Sequence, residues 1–241
     1  PPGQGKKWYQ PSVDTRWQIQ LQGTINTDYN VELYDLDLFD TPSEVITLLH
    51  AAERRVICYF SAGTYEGWRE DATEFIPEVL GLPLEDFPEE RWLDVRSPSL
   101  VPLMRARMDL AVKRGCDGVD PDNVDGFTNN TGFPLTAADQ LAYNRMLARE
   151  AHARGLAVGL KNDLDQVRAL VAEYDFAVNE QCHEYDECGV LSPFVMAGKP
   201  VFNIEYAAPF LQGEGFTTLC LDAKQRNYRT LALALDLNDM L

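Results

Sequence analysis

Residues 115–126 read Gly115-Cys-Asp-Gly-Val-Asp-Pro-Asp-Asn-Val-Asp-Gly126, between two stretches of helical character. Upstream, Leu100 to Arg114 sets Leu100, Leu103, Met104 and Met108 on one face, and Gly115 stops it. Downstream, Thr136 to Arg154 opens Thr-Ala-Ala-Asp and stops at Gly155, and the apolar run Leu156-Ala-Val-Gly-Leu160 follows. Within the quoted stretch Gly118–Asp122 reads as a strand that must finish or bulge at Pro121, which cannot donate to a ladder. Helix, strand, helix, strand implies parallel strands joined by right-handed crossovers.

The same alternation extends both ways. Earlier strand-like runs are Trp17–Leu21, Val31–Leu36 and Arg55–Phe60, and later ones are Phe176–Asn179, Pro200–Ile204 and Thr217–Leu221. With Gly118–Asp122 and Leu156–Leu160 that makes eight. Helical patterns open at Thr41-Pro42 and run from Leu164 to Glu173. Eight such strands in 241 residues fit an α/β fold of the (β/α)8 TIM-barrel type. A doubly wound open sheet is the competitor, but the first strand is followed by Gln22-Gly23-Thr24 and no G-x-G-x-x-G loop. Residues 1–12 read as a linker or trimmed end and 13–241 as one barrel domain. The long connection Ser61–Pro98, with Trp68, Phe75, Phe87 and Trp92 among its prolines, reads as an ordered insertion. It follows the third strand, which places it over the C-terminal mouth where barrel enzymes hold substrate.

Composition narrows the partners. Acidic residues number 38 and basic residues 21, a formal net charge of −17. That field repels a phosphate backbone and an anionic membrane surface, and attracts a cationic ligand. It also does no more than what keeps many soluble proteins soluble. No run of 18 apolar residues exists, so no membrane span is expected. Of five cysteines, Cys182 and Cys188 close a short polar segment and are expected to bond. A zinc pair through His183 is the other reading, at an unusual spacing. Cys58, Cys116 and Cys220 sit in or beside apolar runs and are expected as reduced, buried thiols. A disulfide and the sequon Asn129-Asn130-Thr131 point to secretion, or to a surface anchor outside this chain.

Chemistry is expected at the strand ends. The fourth ends in Asp120, Asp122, Asn123 and Asp125; the fifth in Lys161 and Asn162; the sixth in Glu180; the seventh in Glu205 and Tyr206. The second ends in Asp35 and Asp37, and the third in Tyr59. Singly, each is as well explained by an Asx turn, a helix cap or a solvated loop. A calcium loop at Asp120–Asp125 lacks the later Glu and central Gly of an EF-hand. No G-x-S-x-G elbow, H-E-x-x-H pair or Walker loop occurs, and His50 and His152 fall in helical patterns. Carboxylate chemistry remains, and two acids from different strand ends are the minimum for cutting a glycosidic bond. No cofactor is expected.

Several stretches resemble the endo-α-1,4-polygalactosaminidases of glycoside hydrolase family 114. They are Trp17-Gln-Ile-Gln-Leu-Gln-Gly23, Tyr34-Asp-Leu-Asp37, Val56–Gly63, Gly115–Gly126, Asn179-Glu-Gln-Cys-His-Glu-Tyr185 and Thr217–Asp222. The resemblance implies a secreted barrel that cuts galactosamine polymer of microbial exopolysaccharide, as in biofilm. It places the catalytic pair on Asp122 and Glu180. Unacetylated galactosamine is cationic, which fits the charge. Asp35, Asp37, Asp120, Asp125 and Glu205 are then candidate ammonium contacts, and Tyr59, Trp92, Tyr185 and Tyr206 candidate sugar platforms. Asn123, Lys161 and Asn162 complete the candidate binding set. Retention by double displacement is expected, with Asp122 as nucleophile and Glu180, its pKa raised by burial and acidic neighbours, as acid and then base. A monomer is expected. The alternatives are a catalytically silent carbohydrate-binding barrel and a purely structural surface barrel.

Overall fold

A computed structural model describes residues 8–239, so the first seven residues of the expected linker lie outside it. Strands β1 (Trp17–Gln20), β2 (Leu33–Asp37) and β3 (Arg55–Ser61) begin the sheet, with α1 (Ser43–Ala51) between the last two. The insertion then supplies β4 (Thr64–Glu66), β5 (Leu80–Pro83) and β6 (Glu90–Leu93). Helix α2 (Leu100–Arg114) leads to β7 (Gly118–Asp122), α3 (Ala137–Ala153) to β8 (Ala157–Lys161) and α4 (Val167–Leu170) to β9 (Phe176–Glu180). Helix α5 (Ser192–Met196) precedes β10 (Val201–Glu205), and α6 (Ala208–Leu211) and α7 (Gly213–Arg226) precede β11 (Arg229–Ala232).

The large sheet runs β1-β2-β3-β7-β8-β9-β10-β11, and every described neighbour pair is parallel. The two ends meet where the Trp17 indole donates to the Arg229 carbonyl at 2.7 Å, so the sheet curls into a nearly closed (β/α)8 barrel. Alternate strand residues point inward. Trp17, Ile19, Leu33, Ile57, Phe176 and Phe202 fill the lower interior as one apolar cluster. Gly159 leaves the room that the Phe176 ring takes, since a Cβ there would lie 2.4 Å from it. The opposite strand faces pack on the helices in a second, larger cluster. Helix α3 starts on a capping box, with Thr136 Oγ1 accepting from Asp139 N and Asp139 accepting from Thr136 N.

The eighth strand differs from expectation. Thr217–Leu221 lies inside α7, and β11 takes the last barrel position. The β-branched pair Thr217-Thr218 suggested a strand, but Leu219 and Ala223 bury at helical spacing, and Asn227 ends the helix in the left-handed conformation.

The insertion forms a three-stranded antiparallel sheet, β4-β6-β5, at the C-terminal end of β3. Two buried arginines fasten it. Arg69 forks onto Asp37 (2.7 and 3.1 Å) and pairs with Glu66 at 2.8 Å. Arg107 of α2 reaches Asp71 and the Ser61 carbonyl.

Cys182 and Cys188 are bonded, as expected. Cys58 and Cys116 are bonded as well, against expectation, and Cys220 is an exposed thiol on α7 rather than a buried one. Cys58 lies on the outward face of β3, and Cys116 enters the neighbouring strand β7, with Cα atoms 6.0 Å apart. An apolar setting makes a lone thiol inert, but here it brings two together.

With both bridges formed, Cys220 should be the one thiol alkylated without reductant, and mass spectrometry showing more would contradict the pairing. The Cys58–Cys116 bridge closes a 58-residue separation and should stabilise by about 4 kcal/mol, against about 2 kcal/mol for the short Cys182–Cys188 loop. Denaturant unfolding of the two double-serine variants should rank them in that order.

Candidate active site

Along the inward-facing positions, side chains turn from apolar to ionisable toward the C-terminal mouth. On β3 the series is Ile57, Tyr59, Ser61; on β7 Gly118, Asp120, Asp122; on β8 Gly159, Lys161; on β9 Val178, Glu180. Lys161 is the hub. Its side chain is 3% exposed, and its ammonium lies 3.4 Å from Asp122 Oδ1, 3.7 Å from Glu180 Oε2 and 3.9 Å from Asp120 Oδ2. It also stands 5.4 Å from the Tyr59 ring centroid. Burial alone would push this amine down, but the three carboxylates outweigh it and hold its pKa well above the ordinary value. Two facing oxygens within reach of one nitrogen lie no more than about 7 Å apart.

Each of the two mouth carboxylates is held at both oxygens. Asp122 accepts from Tyr59 Oη at 2.9 Å and from the Asn123 backbone N–H at 2.7 Å. Glu180 accepts from Tyr206 Oη at 2.6 Å and from Asn162 Nδ2 at 3.1 Å. Asn162 Oδ1 in turn accepts from the Glu180 backbone N–H and from Asn179. The chain turns sharply just beyond all three mouth residues: Asn123, Asn162 and Gln181 have φ of 60°, 48° and 63°. Asn tolerates that left-handed region well; Gln181 is held in it by its N–H to the Ile204 carbonyl at 2.7 Å. Gly63 packs against the Asn123 turn, where a Cβ would lie 1.6 Å from the Asn123 carbonyl oxygen.

Burial raises Glu180, but Lys161, Tyr206 and Asn162 together take its pKa below the ordinary range. The expectation of a raised Glu180 is therefore corrected: the acidic neighbourhood is answered by a resident ammonium and two neutral donors. Burial and then Asp122 push Asp125 up to about 6. Deeper in the barrel, Asp35 and Asp120 are almost fully buried. Burial takes Asp35 well above its usual value and raises Asp120 less far, since Lys161 pulls Asp120 back toward its ionised form.

The other candidates divide. Asn123, Asn162, Lys161, Tyr59 and Tyr206 join the two acids. Asp37 does not, being locked under Arg69 and the Phe39 and Asp40 N–H groups. Glu205 is fully buried, and accepts from the His183 backbone, the His183 ring and Asn203, which pins the loop after Glu180. Trp92 is buried in β6, whereas Tyr185 is 61% exposed. His183 meets Glu205 on one side and Asp222 on the other, while Cys182 and Cys188 bond each other.

Glu90 of the insertion was not anticipated. Its Oε2 accepts from Thr64 Oγ1 at 2.6 Å; Thr64 meets Ser61, and Asn123 Nδ2 reaches both hydroxyls. Burial, with Glu66 and Asp122 adding to it, pushes Glu90 up to about 7. In the sequence Glu90 is one acid in the charged run Glu85–Arg91, with nothing to single it out.

Residues 1–241 match the family model for glycoside-hydrolase family GH114. Aspergillus fumigatus Ega3, solved in complex with galactosamine, superposes with a TM-score of 0.92 and 41% identity, over 96% of this chain and 95% of that one. The glycoside hydrolase domain of PelA from Pseudomonas aeruginosa shares the fold at a TM-score of 0.74 and 14% identity, over 93% and 96% of the two chains. A Deinococcus radiodurans protein is 27% identical over 226 residues, 81% of this chain and 73% of its own length.

The Tyr206 hydroxyl stabilises ionised Glu180, so Tyr206→Phe should raise the Glu180 pKa by about one unit. A carboxyl-carbon NMR titration reads this directly, and an unmoved titration would contradict the assigned donor.

Proposed function

The chain belongs to glycoside-hydrolase family GH114, and from that premise we propose an endo-acting hydrolase of α-1,4-linked galactosamine polymer that retains anomeric configuration. The observation that carries the reading is the convergence of Asp122 and Glu180 on one buried ammonium at the barrel mouth. A shared ammonium keeps the two facing oxygens within about 7 Å, which accommodates the ~5–5.5 Å carboxyl separation of retaining enzymes; a measured separation of ~6.5–9.5 Å would mark inversion instead.

In the first step an Asp122 oxygen attacks the anomeric carbon, the glycosidic bond breaks, and Glu180 gives its proton to the departing oxygen. In the second, Glu180 takes a proton from water, the water oxygen attacks the same carbon, and the ester to Asp122 breaks. The donors on Asp122 fix its oxygens for attack. Glu180 must be protonated before the first step, and its lowered pKa puts that form on the acid side.

Galactosamine ammonium groups meet a site with more carboxyl groups than cations. Asp125 and Glu90 flank Asp122 with raised pKa values, and a cation beside either favours its ionised form. A charge of −17 draws a polycation from a distance. Tyr185, exposed beyond the disulfide loop, is offered as a sugar platform. Two disulfides support folding in an oxidising compartment, hence a secreted or surface-anchored protein, which is where exopolysaccharide lies. No helix among the described residues is long and apolar enough to cross a membrane.

Incubation with deacetylated galactosamine polymer should release short oligomers detectable by mass. Asp122→Ala and Glu180→Ala should each cut turnover by roughly a thousandfold or more while the polymer still binds. Persistent activity in Glu180→Ala would remove its assigned role. Because the protonated acid is the minor form at neutral pH, kcat at saturating polymer should rise as pH falls from 7 toward 5, while protonation of Glu90 and Asp125 raises KM over the same range; a kcat profile rising toward alkaline pH would contradict the assignment. Glu90→Gln keeps the Thr64 contact and should raise KM for the cationic polymer several-fold with little change in kcat. Salt should weaken binding of that polymer, since attraction is screened over about 8 Å at physiological ionic strength.

A further inference from the structure

Beneath the reacting pair lies a second pair of acids that the hydrolytic steps do not use. Asp35 on β2 and Asp120 on β7 flank β3, where their ladder partners are Ile57 and Tyr59. They are 1% and 0% exposed. Among the described residues no N–H or O–H group donates to either oxygen of Asp120, or to Asp35 Oδ1. The Lys161 ammonium, at 3.9 Å, is beyond hydrogen-bond distance of Asp120. Two buried carboxylates with three of their four oxygens lacking a donor repel each other and bear a large desolvation cost. One proton held between them supplies the missing donor and removes one charge.

We propose that Asp35 and Asp120 are positioning residues of the hydrolytic centre: Asp35 stays a neutral acid donating to Asp120, and Asp120 stays an anion that anchors Lys161 beneath Asp122 and Glu180. Deepening the proposed function, it rests on Asp122 and Glu180 being the reacting carboxylates. The order within the pair follows from position. Asp120 is the member close to the ammonium, so it keeps the charge, and Asp35 keeps the proton. The two groups influence each other in opposite senses, Asp120 raising Asp35 and Asp35 lowering Asp120, as a proton resident on Asp35 requires.

The charged groups facing the pair are Lys161 from β8, Asp122 from β7 and Glu180 from β9. Without the anion at Asp120, Lys161 has one fewer negative neighbour. The repulsion of Glu180 by Asp120 disappears, and the ammonium, no longer drawn downward, is left to the two mouth carboxylates. Both changes favour ionised Glu180, so the alkaline limb of activity moves to lower pH.

Three variants and one spectrum test this. Asp35→Asn preserves a donor toward Asp120 and should keep kcat within about threefold and the pH profile in place. Asp120→Asn and Asp35→Ala should lower kcat by roughly 100-fold, the scale of ~1 Å misplacement, with KM little changed. Both should shift the alkaline limb acidward by about one pH unit. In wild type, carboxyl-carbon NMR should find Asp35 protonated at pH 7. That spectrum needs no substrate, so it stands if galactosamine polymer proves not to be cleaved, an outcome that would sink the substrate reading alone. An ionised Asp35 at pH 7, or an Asp120→Asn profile superimposable on wild type, overturns the proposal. A folded Asp35→Asn as impaired as Asp35→Ala overturns it too.

Discussion

The ammonium of Lys161 is the charge on which the mouth of this barrel depends. Four carboxyl groups, those of Asp35, Asp120, Asp122 and Glu180, crowd into one end of a packed interior. Burying that many anions without a cation is prohibitive. Lys161 answers three of them at 3.4–3.9 Å, and its own burial is tolerable only because they surround it. The rest of the design follows from keeping that cluster in register. Apolar layers below fix the strands, left-handed turns beyond Asp122, Lys161 and Glu180 end them at one level, and neutral donors hold the oxygens of Asp122 and Glu180.

The insertion belongs to the same construction. Arg69 and Arg107 are buried charges in their own right, and their partners come from both the barrel and the insertion. The insertion sheet is thereby held against the barrel end, and Thr64 is brought to Ser61 and Asn123. That placement delivers Glu90 to the edge of the site. A loop without those arginines would leave the same carboxylate in solvent.

Much of this was legible in the sequence because period and punctuation agree. Leu100–Arg114 ends at Gly115 in the structure as in the sequence, and Gly118–Asp122 is the strand that the residues indicate. Position in the chain also located the acids, since the ends of parallel strands share one rim. What stayed hidden depends on side chains meeting across elements. Asp37 reads as a rim acid until Arg69, 32 residues later, covers it. Glu205 looks as available as Glu180, yet the His183 backbone occupies it. Thr217–Leu221 has strand composition and helical burial, and tertiary packing decided. The Cys58–Cys116 bond had a usable signal: one cysteine mid-strand, the other two residues before the next parallel strand.

The cluster also constrains how charge moves during the proposed reaction. When Asp122 becomes an ester it loses its negative charge, and Glu180 gains one by giving up its proton. The sum inside the cluster is unchanged. Lys161 stands 3.4 Å from the group that loses the charge and 3.7 Å from the group that gains it, so its attraction is carried across without a large displacement of the side chain. Preorganised charge of this kind avoids the reorganisation that water would require. The same geometry explains why the ammonium must be anchored from below. A lysine held only by the two reacting carboxylates would follow the charge from one to the other. Asp120 is the fixed third contact that keeps it between them, and a neutral partner on Asp35 lets Asp120 remain an anion in so dry a place.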